Sequence, residues 1–113
     1  MSDEFCELRQ GKCVPCEGGV QPLSDAEADR LLSALPLWKR EDREIWRTFK
    51  FADYYETLAF VNATAWISHR EDHHPDMAVG YNQVTMRYST HAIGGLSRND
   101  FICAAKIDAL LTL

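Results

Sequence analysis

Apolar residues recur along this chain in two periods, and the switch between them lays out the fold. Ala28, Leu31, Leu32 and Leu35 follow an i, i+3, i+4, i+7 spacing, which puts them on one face of a helix. Ser24 and Glu27 stand at capping-box spacing where that helix would begin, and Pro36 would stop it. The period then drops to two. Residues 37–40 and 45–51 flank the polar stretch Glu41-Asp42-Arg43-Glu44, which predicts a hairpin. In its second strand Ile45, Phe49 and Phe51 share one face, while Trp46, Thr48 and Lys50 share the other. Arg47 falls on the apolar face, where it must reach a carboxylate or run its charged end to the edge.

A second helix is predicted from Asp53, with Glu56 three residues on, to about Arg70. Its apolar residues (Leu58, Ala59, Phe60, Val61, Ala63, Ala65, Trp66 and Ile67) go all round the helix. One face can pack on a sheet, but this short chain has nothing left to cover the opposite one, so a second subunit is expected there. Pro75 pushes His74 out of helical geometry and ends the element. A second hairpin pairs residues 77–81 with 83–90, where Val84, Met86 and Tyr88 point inward and Thr85, Arg87 and Ser89 outward. The third helix starts at Ser97, with Asp100 at the capping-box position and Leu96 and Phe101 spaced as a hydrophobic staple. The order is α-β-β-α-β-β-α. It predicts an α+β domain over residues 23–113, with a four-stranded antiparallel sheet and three helices on one face.

Composition narrows the function classes. The chain has 113 residues, enough for one domain with a small core that oligomerisation would support. A net charge of -5 argues against a nucleic-acid surface. No apolar run approaches the ~20 residues of a membrane span. The start, Met1-Ser2-Asp3-Glu4, lacks the basic and apolar stretches of a signal peptide, so a reducing cytoplasm is expected. Residues 1–22 read as an extension that carries Cys6, Cys13 and Cys16, with Cys13 and Cys16 in a C-x-x-C. It is expected to be reduced and loosely packed. Metal, redox or partner binding are the alternatives. Three thiols without a histidine fall short of a closed zinc site. Cys103, alone in the third helix, reads as a small core residue.

All four histidines lie within one stretch, at His69, His73, His74 and His91. Imidazole changes protonation near neutral pH, so such a cluster suits acid–base work on a small molecule. Two other readings compete with it. A three-histidine zinc site is one, and His69 and His73 have the i, i+4 spacing of a helical metal pair. That pair lacks the glutamate of H-E-x-x-H, and adjacent histidines point in divergent directions in many backbones. Ordinary surface or capping residues are the other. For Asp100, capping the third helix accounts for the residue by itself, and a site role joins the cap if the start of that helix faces the pocket.

The pattern His69-x3-His73-His74-Pro75-x5-Tyr81-x9-His91-x8-Asp100 resembles the signature of the pterin-4a-carbinolamine dehydratases. Asp72, Tyr81-Asn82-x-Val84, Ser89-Thr90-His91 and Gly95-Leu96-Ser97 extend the likeness over about residues 23–113. At His69 the family more usually has an acidic residue or lysine, and the cysteine-bearing extension lies outside the family core. The resemblance implies dehydration of a 4a-hydroxytetrahydrobiopterin to quinonoid dihydropterin, recycling the cofactor of aromatic amino acid hydroxylases. It implies His73 and His91 as the general acid/base pair and His74 as the residue holding the pterin and its hydroxyl. The segments Asp72-His73-His74 and Ser89-Thr90-His91-Ala92 would bind the substrate, with Trp38 or Tyr81 as an aromatic wall. Neither a cofactor nor a metal is implied. A homodimer or homotetramer is expected, with an aromatic amino acid hydroxylase as a candidate partner and neither nucleic acid nor membrane as one. The alternative is a non-catalytic pterin-binding or regulatory module on the same fold, either a transcriptional coactivator or a molybdopterin-related protein. Nothing in the sequence selects for the family's coactivator role.

Overall fold

The structure, a computed structural model, describes residues 3–16 and 20–112. Over these residues the fold is α+β, with four helices and a four-stranded antiparallel sheet. The elements are α1 (Asp3–Gln10), α2 (Asp25–Leu32), β1 (Lys39–Glu41), β2 (Glu44–Lys50), α3 (Tyr54–Glu71), β3 (Asp76–Val79), β4 (Gln83–Tyr88) and α4 (Arg98–Leu110). A 3-10 turn, His91–Ile93, separates β4 from α4. From α2 onward this is the expected order, and α1 is an additional helix.

The sheet order is β1-β2-β4-β3. The central pair sets the register, with Ile45 opposite Tyr88 and Phe49 opposite Val84. Alternation then places Ile45, Phe49, Val84, Met86 and Tyr88 on the buried face. On the other face Thr48 and Thr85 join hydroxyl to hydroxyl at 2.8 Å across the same pair. Arg47, the polar residue on the apolar face, finds its carboxylate: Nη1 donates to Asp108 Oδ1 of α4 at 2.8 Å. Trp38 Nε1 donates to the same oxygen at 2.9 Å. Burial pushes the Asp108 carboxyl above the ordinary carboxylate range, against the pull of these two donors.

The caps read from sequence hold the helices. Ser24 accepts from the Glu27 N–H at 3.2 Å, and Asp53 accepts from the Glu56 N–H at 2.9 Å. The buried stripe of α3 is Thr57, Phe60, Thr64 and Ser68. Two of its hydroxyls bond back to helix carbonyls, Thr64 donating to Val61 and Ser68 to Thr64, so they add no unmet polar group. The opposite face leaves Tyr55 80% and Trp66 61% exposed. Phe60 instead belongs to the core, its ring tilted about 40° against those of Phe49 and Phe51.

The expected loose extension is corrected. Residues 3–10 form α1, which packs on α4 and buries Phe5 and Leu8. This explains why α4 carries five consecutive buried apolar residues, Phe101 to Ala105. The sheet side covers one flank of α4 and α1 covers another, so no stripe of this stretch needs to be polar. Arg30 of α2 pairs with Glu4, and Lys106 Nζ donates to the Arg9 carbonyl at 2.9 Å, which tie α1 to its neighbours.

Candidate active site

The site is assembled where the C-terminal end of α3, the loop after β4 and the first turn of α4 meet. Helix α3 stops because Asp72 adopts a left-handed backbone at φ 50°. His73, now off the helix axis, donates its N–H to the Ser68 carbonyl at 3.2 Å. Its ring stacks on Tyr88 at 5.7 Å between centroids, with 8° between planes. Burial pushes the Tyr88 hydroxyl up, so this platform stays neutral.

His73 Nε2 lies 2.6 Å from Asp100 Oδ1. Asp100 is 0% exposed, and its carboxylate serves three groups. Oδ2 accepts from the Thr90 hydroxyl at 2.9 Å and from the Ser97 N–H at 3.0 Å. Ser97 and Thr90 also bond hydroxyl to hydroxyl at 2.7 Å. The Ser97 bond is the expected cap of α4. It is one contact of three, so capping alone does not account for Asp100: the same carboxylate orients an imidazole. A carboxylate so placed takes the Nε2 proton as its hydrogen bond and leaves Nδ1 as the ring's accepting nitrogen.

Thr90 connects this buried pair to open space. Backbone bonds to Gly95 fix it from both sides: the Thr90 N–H donates to the Gly95 carbonyl at 2.9 Å, and the return bond is 3.4 Å. Gly94 closes the intervening turn at φ 66°, a conformation that favours glycine. A β-carbon at Gly95 would come within 2.9 Å of Pro22. Beside this clamp lies a cleft of about 590 Å³. Ser89, Thr90 and His91 form one wall of it with Gly94 and Gly95, and the β1–β2 turn, Glu41 to Glu44, forms the other.

The expected site residues therefore divide. His73, Thr90 and Asp100 form one hydrogen-bonded unit, and Ser89 and His91 line the adjoining cleft. Asp72 and His74 are exposed in the loop that carries His73, and Ala92 is exposed in the turn after Thr90. Trp38 is a correction: it is a core residue packed between Phe49 and Tyr88 with its N–H on Asp108, and it forms no wall of the cleft. Tyr81 stands in the β3–β4 turn, 66% exposed and stacked on Tyr54 at 6.2 Å, away from the cleft walls. Spacing marks Ser97 only as the start of α4, so its hydroxyl bond to Thr90 went unpredicted, as did the acidic β1–β2 turn at the cleft. The i, i+4 spacing of His69 and His73 does not become a pair, because α3 ends between them and His69 lies against Trp66 instead. Among the described residues no group of three or more metal-ligating side chains comes together. No described helix is long and apolar enough to cross a membrane.

Three comparisons bear on this geometry. Residues 21–110 match the family model described as pterin 4 alpha carbinolamine dehydratase. A curated protein of Nitrosomonas eutropha, provisionally named a pterin-4-alpha-carbinolamine dehydratase, is 64% identical over 108 residues, covering 95% of this chain and 96% of its own length. A similarly named protein of Nitrosospira multiformis is 56% identical over the whole of both chains. Among solved structures, a Brucella melitensis protein described as a transcriptional coactivator/pterin dehydratase superposes with a TM-score of 0.77 at 30% identity, over 80% of this chain and 98% of that one. A pterin dehydratase-like protein identified as a RuBisCO assembly factor of the alpha-carboxysome gives a TM-score of 0.54 at 26% identity, over 65% of this chain and 84% of that one. By the match over residues 21–110 and by these relatives, the chain belongs to the pterin 4 alpha carbinolamine dehydratase family.

Proposed function

We propose that this chain dehydrates 4a-hydroxytetrahydrobiopterin to the quinonoid dihydropterin by histidine acid–base catalysis. The observation that carries the reading is the buried Asp100 carboxylate, bonded at once to His73 and, through Thr90, to the cleft that His91 lines. Loss of water requires two proton movements. The proton on N5 leaves as the nitrogen lone pair forms the N5–C4a double bond. The C4a–O bond breaks, and its hydroxyl departs as water after taking up a proton. His73 suits the first task, because Asp100 holds its Nε2–H and faces the charge that the ring gains on accepting a proton at Nδ1. His91, exposed at the cleft wall, suits protonation of the leaving hydroxyl. His74 holds the pterin and its hydroxyl, and neither a metal nor a cofactor takes part.

An aromatic amino acid hydroxylase would supply the substrate, in the cytoplasm. The apolar outer face of α3, with Tyr55 and Trp66, is the surface that a second copy would cover. A non-catalytic reading takes its support from the assembly factor and the coactivator among the solved neighbours. The test is turnover of the purified chain on 4a-hydroxytetrahydrobiopterin. His73→Ala and His91→Ala should each lower kcat by ~10²-fold or more with the fold intact. Near-normal rates in both would remove the acid–base assignment.

A further inference from the structure

The C-x-x-C segment, which the dehydration reading does not use, is not free in solution. The Val14 N–H donates to Asn99 Oδ1 at 3.0 Å, and Asn99 Nδ2 donates to the Val14 carbonyl at 2.6 Å. The Cys13 N–H donates to Glu71 Oε1 at 2.8 Å. These bonds strap residues 11–16 across the last residue of α3 and the first turn of α4. They bring Cys13 Sγ to 3.6 Å from Cys103 Sγ, a contact between residues ninety positions apart.

We propose that Cys13 and Cys103 form a reversible disulfide that locks this strap onto α4, with a small-molecule disulfide as the oxidant. The two sulfurs need to close from 3.6 Å to about 2.05 Å, a shift that side-chain rotation and a small movement of the half-buried strap can supply. Cys103 is fully buried, and the hydrogen bond with Cys13 and then burial push its thiol up, so it is a poor first nucleophile. Cys13 is half-buried and attacks first. Its thiolate displaces one thiolate from the external disulfide and leaves a mixed disulfide on Cys13. The Cys103 sulfur then attacks the Cys13 sulfur, and the departing small thiolate takes the proton that Cys103 gives up. In sum, two protein thiols are oxidised by two electrons, and one small disulfide is reduced to two thiols.

The place matters because the strap braces both halves of the imidazole–carboxylate pair. Glu71, which accepts from Cys13, is two residues before His73, and Asn99, which grips Val14, directly precedes Asp100. A covalent strap would therefore hold the end of α3 against the start of α4. It would also constrain the unfolded chain, because it closes a long loop.

The test uses the full chain, incubated with excess glutathione disulfide and then mapped by mass spectrometry without reduction. The expected result is one cross-linked peptide pair joining Cys13 to Cys103 and a rise of about 5 °C or more in the thermal midpoint. Both should be reversed by dithiothreitol. Hydrogen exchange at residues 71–73 and 99–101 should slow in the oxidised form. Cys13→Ser, at a half-buried position that tolerates the change, should abolish all three effects, and Cys16→Ser should preserve them. A Cys13–Cys16 link, a stable mixed disulfide on Cys13, a cross-link between chains or an unchanged midpoint would each overturn the proposal.

Discussion

Replacing Asp100 with asparagine probes the network with almost no change of shape. Asp100 Oδ2 serves two donors, the Thr90 hydroxyl and the Ser97 N–H, so the amide oxygen of the substituted side chain must take that position. The amide NH₂ is then left facing His73 Nε2, which the carboxylate contacts at 2.6 Å. An NH₂ cannot accept, so His73 must move its proton to Nδ1 and accept through Nε2. The change removes a charge-assisted hydrogen bond worth about 1.5–3 kcal/mol, which is roughly a 10- to 150-fold effect if it is felt in the transition state. It also imposes the wrong tautomer, which at the orienting aspartate of a catalytic histidine has cost ~10⁴-fold in kcat. We expect Asp100→Asn to lower kcat by about 10²- to 10⁴-fold, leaving KM nearly unchanged and the fold intact because the Thr90 and Ser97 bonds survive. Steady-state dehydration kinetics measure the first effect, and ¹⁵N chemical shifts of His73 report the tautomer. A kcat within about threefold of the parent, with the tautomer switched, would refute the role given to this pair.

Leu8→Ala should cost about 2–5 kcal/mol in urea unfolding with kcat unchanged, since Leu8 is fully buried but remote from the cleft; no loss would mean that α1 does not dock in solution. Trp66→Glu, on the exposed face of α3, should shift the sedimentation profile toward smaller species, and an unchanged profile would remove that face as the contact between subunits. Asp108 gives a pH test. Its folded-state pKa is raised by burial, so the folded protein holds that proton more tightly than the unfolded chain and loses stability on ionisation as pH rises above the ordinary aspartate value of about 3.9. Measured against Asp108→Asn, the parent should therefore lose relative stability as pH rises above about 4, and a relative gain on that rise would contradict the shift.

Much of the frame was legible because local rules and tertiary packing agree. The cap at Ser24 with Glu27, the alternation Val84-Met86-Tyr88 and the odd position of Arg47 each became the contact that their spacing implied. Helix α1 was not legible. It is eight residues long, with Phe5 and Leu8 as its buried anchors, too few to set a period, and its order comes from docking on α4. Trp38 was misplaced because aromatic residues look alike in sequence whether they line a cleft or fill a core; its partner Asp108 lies seventy positions away. The same holds for Asp100. Its capping role is local and readable, whereas its bonds to His73 and Thr90 depend on three segments meeting in space. The Cys13–Cys103 contact is another of this kind, since it requires the strap to cross α4.

Metal-free histidine catalysis stands or falls on the rate at which the purified chain dehydrates 4a-hydroxytetrahydrobiopterin, followed by absorbance with and without a metal chelator. Turnover should be far above the spontaneous rate and the same with chelator present. A rate no greater than background would leave the fold and the family in place and move the function to the non-catalytic reading. A fast rate lost to the chelator would contradict the metal-free histidine mechanism.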